Sequence, residues 1–416
     1  MATQQSKRPV NKKPVKKGSH HSYEEEIRDR KTTHKASSSK TSSSQTTSSK
    51  KPAPHKKAAG KKKEKKKRGK ILLFIAEIFI LLIMVVVLYG VLKTEKVGKV
   101  DIPEEDIVIN AEVKEKQETT MKGYRNIALF GVDSRDGSLN KNRSDTIMIA
   151  SINQDTGECK LVSVYRDTYL NLSNDSYNKC NSAYAKGGPK QAINMLNMNL
   201  DMNITDFVTV GFEGLADTID ALGGIEINVT EAEISHLNNY QISMVGTTTD
   251  NVHFTANAGV DYIPVTTAGL QTLNGLQATA YCRIRYIGDD FQRTQRQRTV
   301  LMQIAEKAKK ASPAQLNEVA NKVFQEIYTS LDLSEILELL GDITKYEIVD
   351  EGGFPAEGMV TTGTIGSKGS CVIPLSLEEN VKWLHGFLFG DNDYEPSEAI
   401  KEYSAKVAAD TNGYIK

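Results

Sequence analysis

Three short stretches carry charges in a pattern suited to phosphate chemistry. "LFGVDSR" ends an apolar run with Asp133 and Arg135, and "RSDTIMIAS" sets Arg143 and Asp145 in front of a second run. A third run, "CKLVSVY", leads into "YRDTYL" with Arg166 and Asp167. Two close carboxylates repel, and one tends to protonate unless a cation lies between them. A divalent cation removes the conflict. Hard oxygen ligands in small number suit Mg²⁺, which leaves its other positions to water and phosphate. Asp133 and Asp145 are the ligands this predicts.

A second cluster supplies the matching anion site. "YCRIRYIGDDFQRTQRQR" contains Arg283, Arg285, Arg293, Arg296 and Arg298. An extended Arg283–Arg285 segment would point both side chains to one face. On the helix that follows, Arg293 and Gln297 are i,i+4 neighbours near its start. Guanidinium forks beside a helix N-terminus favour phosphate. Asp289 or Asp290 has a simpler use as the N-cap of that helix. For any single charged residue the plain alternative is a structural Asp–Arg ion pair. So many arginines at one sheet edge, however, are hard to balance without an anion.

The elements that must position these groups are legible. "NIALFGV", "TIMIASI" and "CKLVSVY" read as strands, the last two joined by "NQDTGE", whose Asp-Thr-Gly signals a turn. The hairpin therefore returns Arg166 and Asp167 beside Asp145, and three strand ends meet at one edge. "PKQAINMLNMNL" and "FEGLADTIDAL" read as helices, "DFVTVG" and "GGIEINV" as strands. This alternation predicts an α/β (α+β) fold, a mixed central β-sheet flanked by helices. "LQTLNGLQATAYCRIRY" is expected to pass from helix to extended chain, and "RTQRQRTVLMQIAEKAKK" to be a helix. Two further helices are expected over 313–341 and a strand over 345–349. There is no internal repeat.

The net charge of +1 conceals a division along the 416 residues. Residues 1–70 hold 23 Lys+Arg against 5 Asp+Glu, and the remainder holds 30 against 47. Between the two lies "ILLFIAEIFILLIMVVVLYGVL", residues 71–92, with Glu77 as its single charge. A helix of that length spans about 33 Å, enough for a bilayer core of about 30 Å. The lysine-rich flank before it predicts a cytoplasmic N-terminus and an exported remainder. The expected organisation is a disordered basic tail (1–70), a transmembrane helix acting as signal-anchor (71–92), an extracytoplasmic stalk (93–120), a catalytic domain (121–390) and a polar C-terminal tail (391–416). Beside a membrane span the basic run is read as gripping anionic lipid rather than nucleic acid. Cys159, Cys180, Cys282 and Cys371 lack the spacing of a metal site, and their even number in an exported domain permits disulfides without assigning them.

The runs "GVDSR", "RSDTIMIASI", "YRDTYL", "KCNSAYAKGG", "LQTLNGLQATAYCRIRY" and "GDDFQRTQRQR" resemble, in order, the LytR-CpsA-Psr family of bacterial cell-envelope proteins. The resemblance covers roughly residues 125–310 and includes the single-span topology. It implies an Mg²⁺-dependent phosphotransferase of the bacterial cell membrane. The enzyme would move a glycopolymer, such as teichoic acid or capsule, from an undecaprenyl-pyrophosphate carrier onto peptidoglycan. By motif match Asp133 and Asp145 would hold the metal. Arg166, Arg283, Arg285, Arg293 and Gln297 would bind pyrophosphate, Arg135 would line the site, and Asp290 would be the base. Two positions depart from the family pattern: Tyr165 stands where proline is usual, and Cys282 where an apolar residue such as valine precedes the first arginine. Neither changes a charged group, although Cys282 would make activity redox-sensitive if it paired with another cysteine. Two rival functions remain: a lipid pyrophosphatase using water as acceptor, and a membrane-anchored sensor or transcriptional attenuator.

Overall fold

The computed structural model describes residues 98–414, apart from 134–138, 140–141, 249–252, 289 and 325. The basic tail, the apolar run 71–92 and Arg135 therefore lie outside the described residues. Among those described, no helix is long and apolar enough to cross a membrane.

A seven-stranded mixed sheet organises the molecule. Its strands are β1 (Gly98–Lys99), β2 (Tyr124–Val132), β3 (Ser144–Asn153), β4 (Glu158–Val164), β5 (Asp206–Gly211), β6 (Ile327–Thr329) and β7 (Glu347–Phe354), in the spatial order β1-β6-β5-β2-β3-β4-β7. β2, β3 and β4 form an antiparallel meander, whereas β2–β5 and β4–β7 are parallel pairs. The β3–β4 turn forms because Asn153 Oδ1 accepts from the backbone of Asp155 and Thr156 at 3.0 and 3.1 Å. Gly157 then takes φ +79°, and a Cβ there would lie 2.3 Å from the Lys345 carbonyl.

Side chains alternate across the strands, so each strand serves two layers. Phe130, Ile147, Ile149 and Phe207 enter a core completed by helices Asn181–Leu200, Leu377–Phe389 and Glu398–Thr411. Ile193 and Leu384 are fully buried in it, each worth about 1.5–3 kcal/mol over exposure. The opposite face of β2, β3 and β5 meets helices Phe212–Ala221 and Asp290–Lys310. A second core joins Glu231–Val245 and Gly275–Cys282 to the antiparallel strand pair Ile225–Val229/Gly269–Leu273.

Four expectations need correction. The acidic 93–120 segment, read as a stalk, contributes β1 and the helix Ala111–Lys116, with Val113 fully buried. Its scattered Val100, Ile102, Ile107 and Ile109 pack against the main core. The polar 391–416 tail is built into the domain, because Ile400 and Val407 lie on one face of its helix and both are buried. The 269–285 segment runs strand, helix, turn, since Asn274 and Gln277 form a capping box that starts a helix there. Finally, β6 is a strand that the helical reading of 313–341 did not contain, and β7 runs to Phe354 rather than stopping at 349.

Candidate active site

The carboxylates reach the site through irregularities at one end of the sheet. Asp133 directly follows β2. In the β2–β3 pairing, Gly131 faces Thr146 while Val132 faces Ser144, so Asp145 is the extra residue of a bulge. A bulge of this kind bends the strand and re-aims its side chain. Gly131 is the residue that permits it, since a Cβ there would sit 2.9 Å from Thr146 Cβ.

Arginines from two distant segments converge on these aspartates. Arg166, two residues beyond β4, donates from Nη1 to Asp145 Oδ1. Its Nε lies 3.6 Å from Asp290 Oδ1 and 3.9 Å from Asp167 Oδ1. Arg285 approaches Asp145 Oδ2 at 3.6 Å, and Arg283 approaches Asp133 Oδ2 at 3.5 Å. Arg293 pairs with Asp290 at 2.7 Å, one turn apart on the same helix. The Arg283–Arg285 segment is not extended: Arg283 has φ −94° and ψ −8°, and closes the Gly275–Cys282 helix. Both side chains reach the site nonetheless, because the turn wraps it. Arg143 is exposed, and Asp289 lies outside the described residues.

Asp133, Asp145, Arg283, Arg285, Arg293 and Gln297 line one polar cavity of about 200 Å³. Phe212 and Tyr240 complete its wall, with the Arg283 guanidinium 4.6 Å from the Phe212 ring centre and 5.9 Å from that of Tyr240. Sequence reasoning did not place Tyr240 at the site, and offered Phe212 only as part of an apolar helix that could wall a channel for a prenyl chain. Each lies on a helix remote in sequence from the charged motifs, and nothing in its local pattern marks it.

Arg293 is only 2% exposed, and its Nε and Nη1 reach no hydrogen-bond partner among the described residues. Burial, with the nearby Arg166 and Arg285, lowers its pKa to about 10, so it remains a cation at neutral pH. Burial raises the pKa of Asp290 above the usual carboxylate range, against the pull of Arg293 and Arg166. Buried guanidinium donors without partners fit an anion. The donor set also fits Mg²⁺, since two hard carboxylates line the same cavity and their Oδ2 contacts to arginine are long.

Not every arginine of the motif belongs to this cavity. Arg296 is held 2.6 Å from Glu233 and donates to the carbonyls of Ile284 and Ile287, bracing the turn that carries Arg283 and Arg285. Burial would raise the pKa of Glu233, but hydrogen bonds from Thr230 and Arg296 hold it below its ordinary value. Arg298 pairs with Glu351 of β7 at 3.1 Å. All four cysteines are free and buried. Burial pushes the Cys282 thiol up to about 12 despite Arg293 and Arg296.

Behind the polar cavity lies an apolar one of about 270 Å³. Leu129, Met148 and Val208 from the sheet face Leu215 and Ile304 from the two covering helices. Phe212, Cys282 and Gln297 line both cavities. A charged chamber backed by an apolar one has the chemistry that suits an amphipathic anion.

A model of the LytR-CpsA-Psr family (LytR_cpsA_psr) matches residues 91–367, and the chain belongs to that family. The polyisoprenyl-teichoic acid–peptidoglycan teichoic acid transferase TagU of Enterococcus faecalis is 32% identical over 209 residues, 49% of this chain and 58% of that protein. The Oceanobacillus iheyensis protein of the same name is 29% identical over 266 residues, 60% of this chain and 72% of its own. The chain thus spans little more than half the length of the first of these relatives. A crystal structure from Streptococcus agalactiae shares the fold, with a TM-score of 0.53 at 22% identity, over 69% of this chain and 91% of that one.

Proposed function

We propose that the protein is an Mg²⁺-dependent phosphotransferase that moves an anionic glycopolymer from a polyprenyl-pyrophosphate carrier to peptidoglycan. The observation that carries this reading is the junction of the two cavities. A prenyl pyrophosphate is a charged head on an apolar tail, and the two chambers share Phe212, Cys282 and Gln297. The names of the two transferases above support the choice of donor and acceptor. The protein would be anchored by the 71–92 span, with its N-terminus in the cytoplasm and its site outside the membrane.

In this reading the arginines hold the pyrophosphate and spread the charge of the breaking bond, which is most of what phosphoryl transfer requires. Asp290, held by Arg166 and Arg293, accepts the proton of the attacking sugar hydroxyl. Its raised pKa moves it toward the range useful to a general base. Asp133 and Asp145 would hold Mg²⁺, which when bound neutralises phosphate oxygens. Arg135 remains a proposed lining residue on motif grounds.

The test is incubation of the full chain with a pyrophosphate-linked lipid glycan, Mg²⁺ and peptidoglycan strands, followed by mass analysis. Glycan joined to peptidoglycan through a phosphodiester supports transfer. Release of free glycan phosphate would instead mean hydrolysis, and no reaction with or without metal would sink both. Asp133→Ala and Asp145→Ala should each abolish transfer while remaining folded; wild-type rates in chelator would remove the metal from the reading.

A further inference from the structure

Tyr286 is 81% exposed, although it follows Arg285, a lining residue of the polar cavity, by a single position. Its ring is not a loose surface group. It stacks on His236, with ring centres 5.9 Å apart and planes inclined by 24°. His236 lies on the Glu231–Val245 helix four residues before Tyr240, so the two share a face. Tyr240 lines the polar cavity. Aromatic side chains are thus placed in the cavity wall, Phe212 and Tyr240, and one helical turn from Tyr240 in the His236–Tyr286 pair at the surface.

A single exposed tyrosine is ordinary and needs no explanation. A braced, outward-facing ring beside a phosphate-sized basic cavity has a chemical counterpart. A pyranose carries hydroxyls at its rim and partly positive C–H groups on its faces, and an aromatic face is negative. We infer that the His236–Tyr286 pair is a stacking platform for one sugar ring of the glycan, held next to the reacting phosphate. This rests on the phosphate reading of the polar cavity and adds the glycan contact that the charged residues do not supply. The ring could belong to the donor glycan or to the acceptor strand, and the two sources are separable by experiment.

The experiment measures equilibrium binding by the full chain in detergent of three probes: chitotetraose, a sugar-free prenyl pyrophosphate, and the same lipid bearing a disaccharide. Tyr286→Ala should weaken a sugar-bearing probe by about tenfold, in line with the loss of one aromatic contact. Sugar-free lipid binding and melting temperature should stay at wild-type values, and Tyr286→Phe should bind all probes like wild type. A loss confined to chitotetraose assigns the platform to the acceptor, and one confined to the glycosylated lipid assigns it to the donor. Unchanged binding of both sugar probes by Tyr286→Ala overturns the platform. So does equal weakening of the sugar-free lipid, since that places the ring on the phosphate. Failure of the wild type to bind sugar-free lipid would be a failure of the phosphate reading alone.

Discussion

Asp290 stands between two guanidiniums, yet burial wins and its pKa rises. Two measurable effects follow. Asp290→Asn should cut the turnover rate by roughly 10²–10⁴, the usual worth of a positioned base, while binding of prenyl pyrophosphate persists. The acid limb of the wild-type rate profile should lie above the ordinary aspartate value of 3.8. Stability should respond too. The folded state binds this proton more tightly than the unfolded chain does, so the associated stability is complete below 3.8 and is lost as pH rises through the folded value. Denaturant titrations across that window should show a smaller decline in Asp290→Asn than in wild type; identical slopes would mean Asp290 is not perturbed. Arg293 makes a different demand, because its planar fork is buried with donors unpaired. Arg293→Lys keeps the charge and loses the fork. A charge-assisted hydrogen bond is worth about 1.5–3 kcal/mol, so transfer efficiency should fall roughly ten- to hundredfold. A lysine variant transferring at the wild-type rate would argue against bidentate binding.

At the scale of elements, the site depends on the turn between Gly275–Cys282 and Asp290–Lys310. Arg296 holds that turn by two carbonyls and is itself held by Glu233. Arg296→Met should lower stability by about 3–5 kcal/mol, since it leaves Glu233 charged and buried. The melting temperature should drop even with no substrate present, unlike the effect of an arginine that serves only the anion. An unaltered melting temperature would show that Glu233 and Arg296 do not brace the turn. The meander of β2–β4 and the meeting of Asp133, Asp145 and Arg166 were readable because local patterns decide them: apolar runs, a turn signal, charges at strand ends. The division of labour among the arginines was not. Arg293 and Arg296 are one helical turn apart and chemically identical. Their roles are separated by partners elsewhere, Asp290 for one and Glu233, more than sixty residues upstream, for the other. Local sequence carries no mark of that choice. The same holds for Phe212 and Tyr240, which become site residues only when the second core brings their helices to the cavity.

For the whole molecule, the basic N-terminal run separates the transferase reading from the sensor. A transferase keeps its activity when residues 2–60 are deleted, provided the apolar span remains. A sensor loses its cytoplasmic contact and fails. Assaying glycan attachment in cells carrying the deletion checks this, and loss of attachment with normal protein levels would favour the sensor. The segments misread as stalk and tail share one physical cause. Both have sparse apolar residues in polar runs, and composition alone cannot show that most of the few present pack against the core. What ties them in is the buried carboxylate of Asp201, which accepts from Asn110 at 2.6 Å and from Ser397 N and Oγ at 2.8 and 2.7 Å. Asp201 is fully buried, and removing either partner leaves part of a charge unsatisfied. This gives the molecule an order of assembly. Asn110 must wait for Ser397, a residue made 287 positions later. This contact is therefore a late one: it cannot form before the start of the Glu398–Thr411 helix has appeared, and contacts of such sequence separation form slowly. Nascent chains halted before Ser397 should leave the segment around Asn110 open to protease, and release of the Glu398–Thr411 helix should bring protection to the Asn110 and Ser397 segments together.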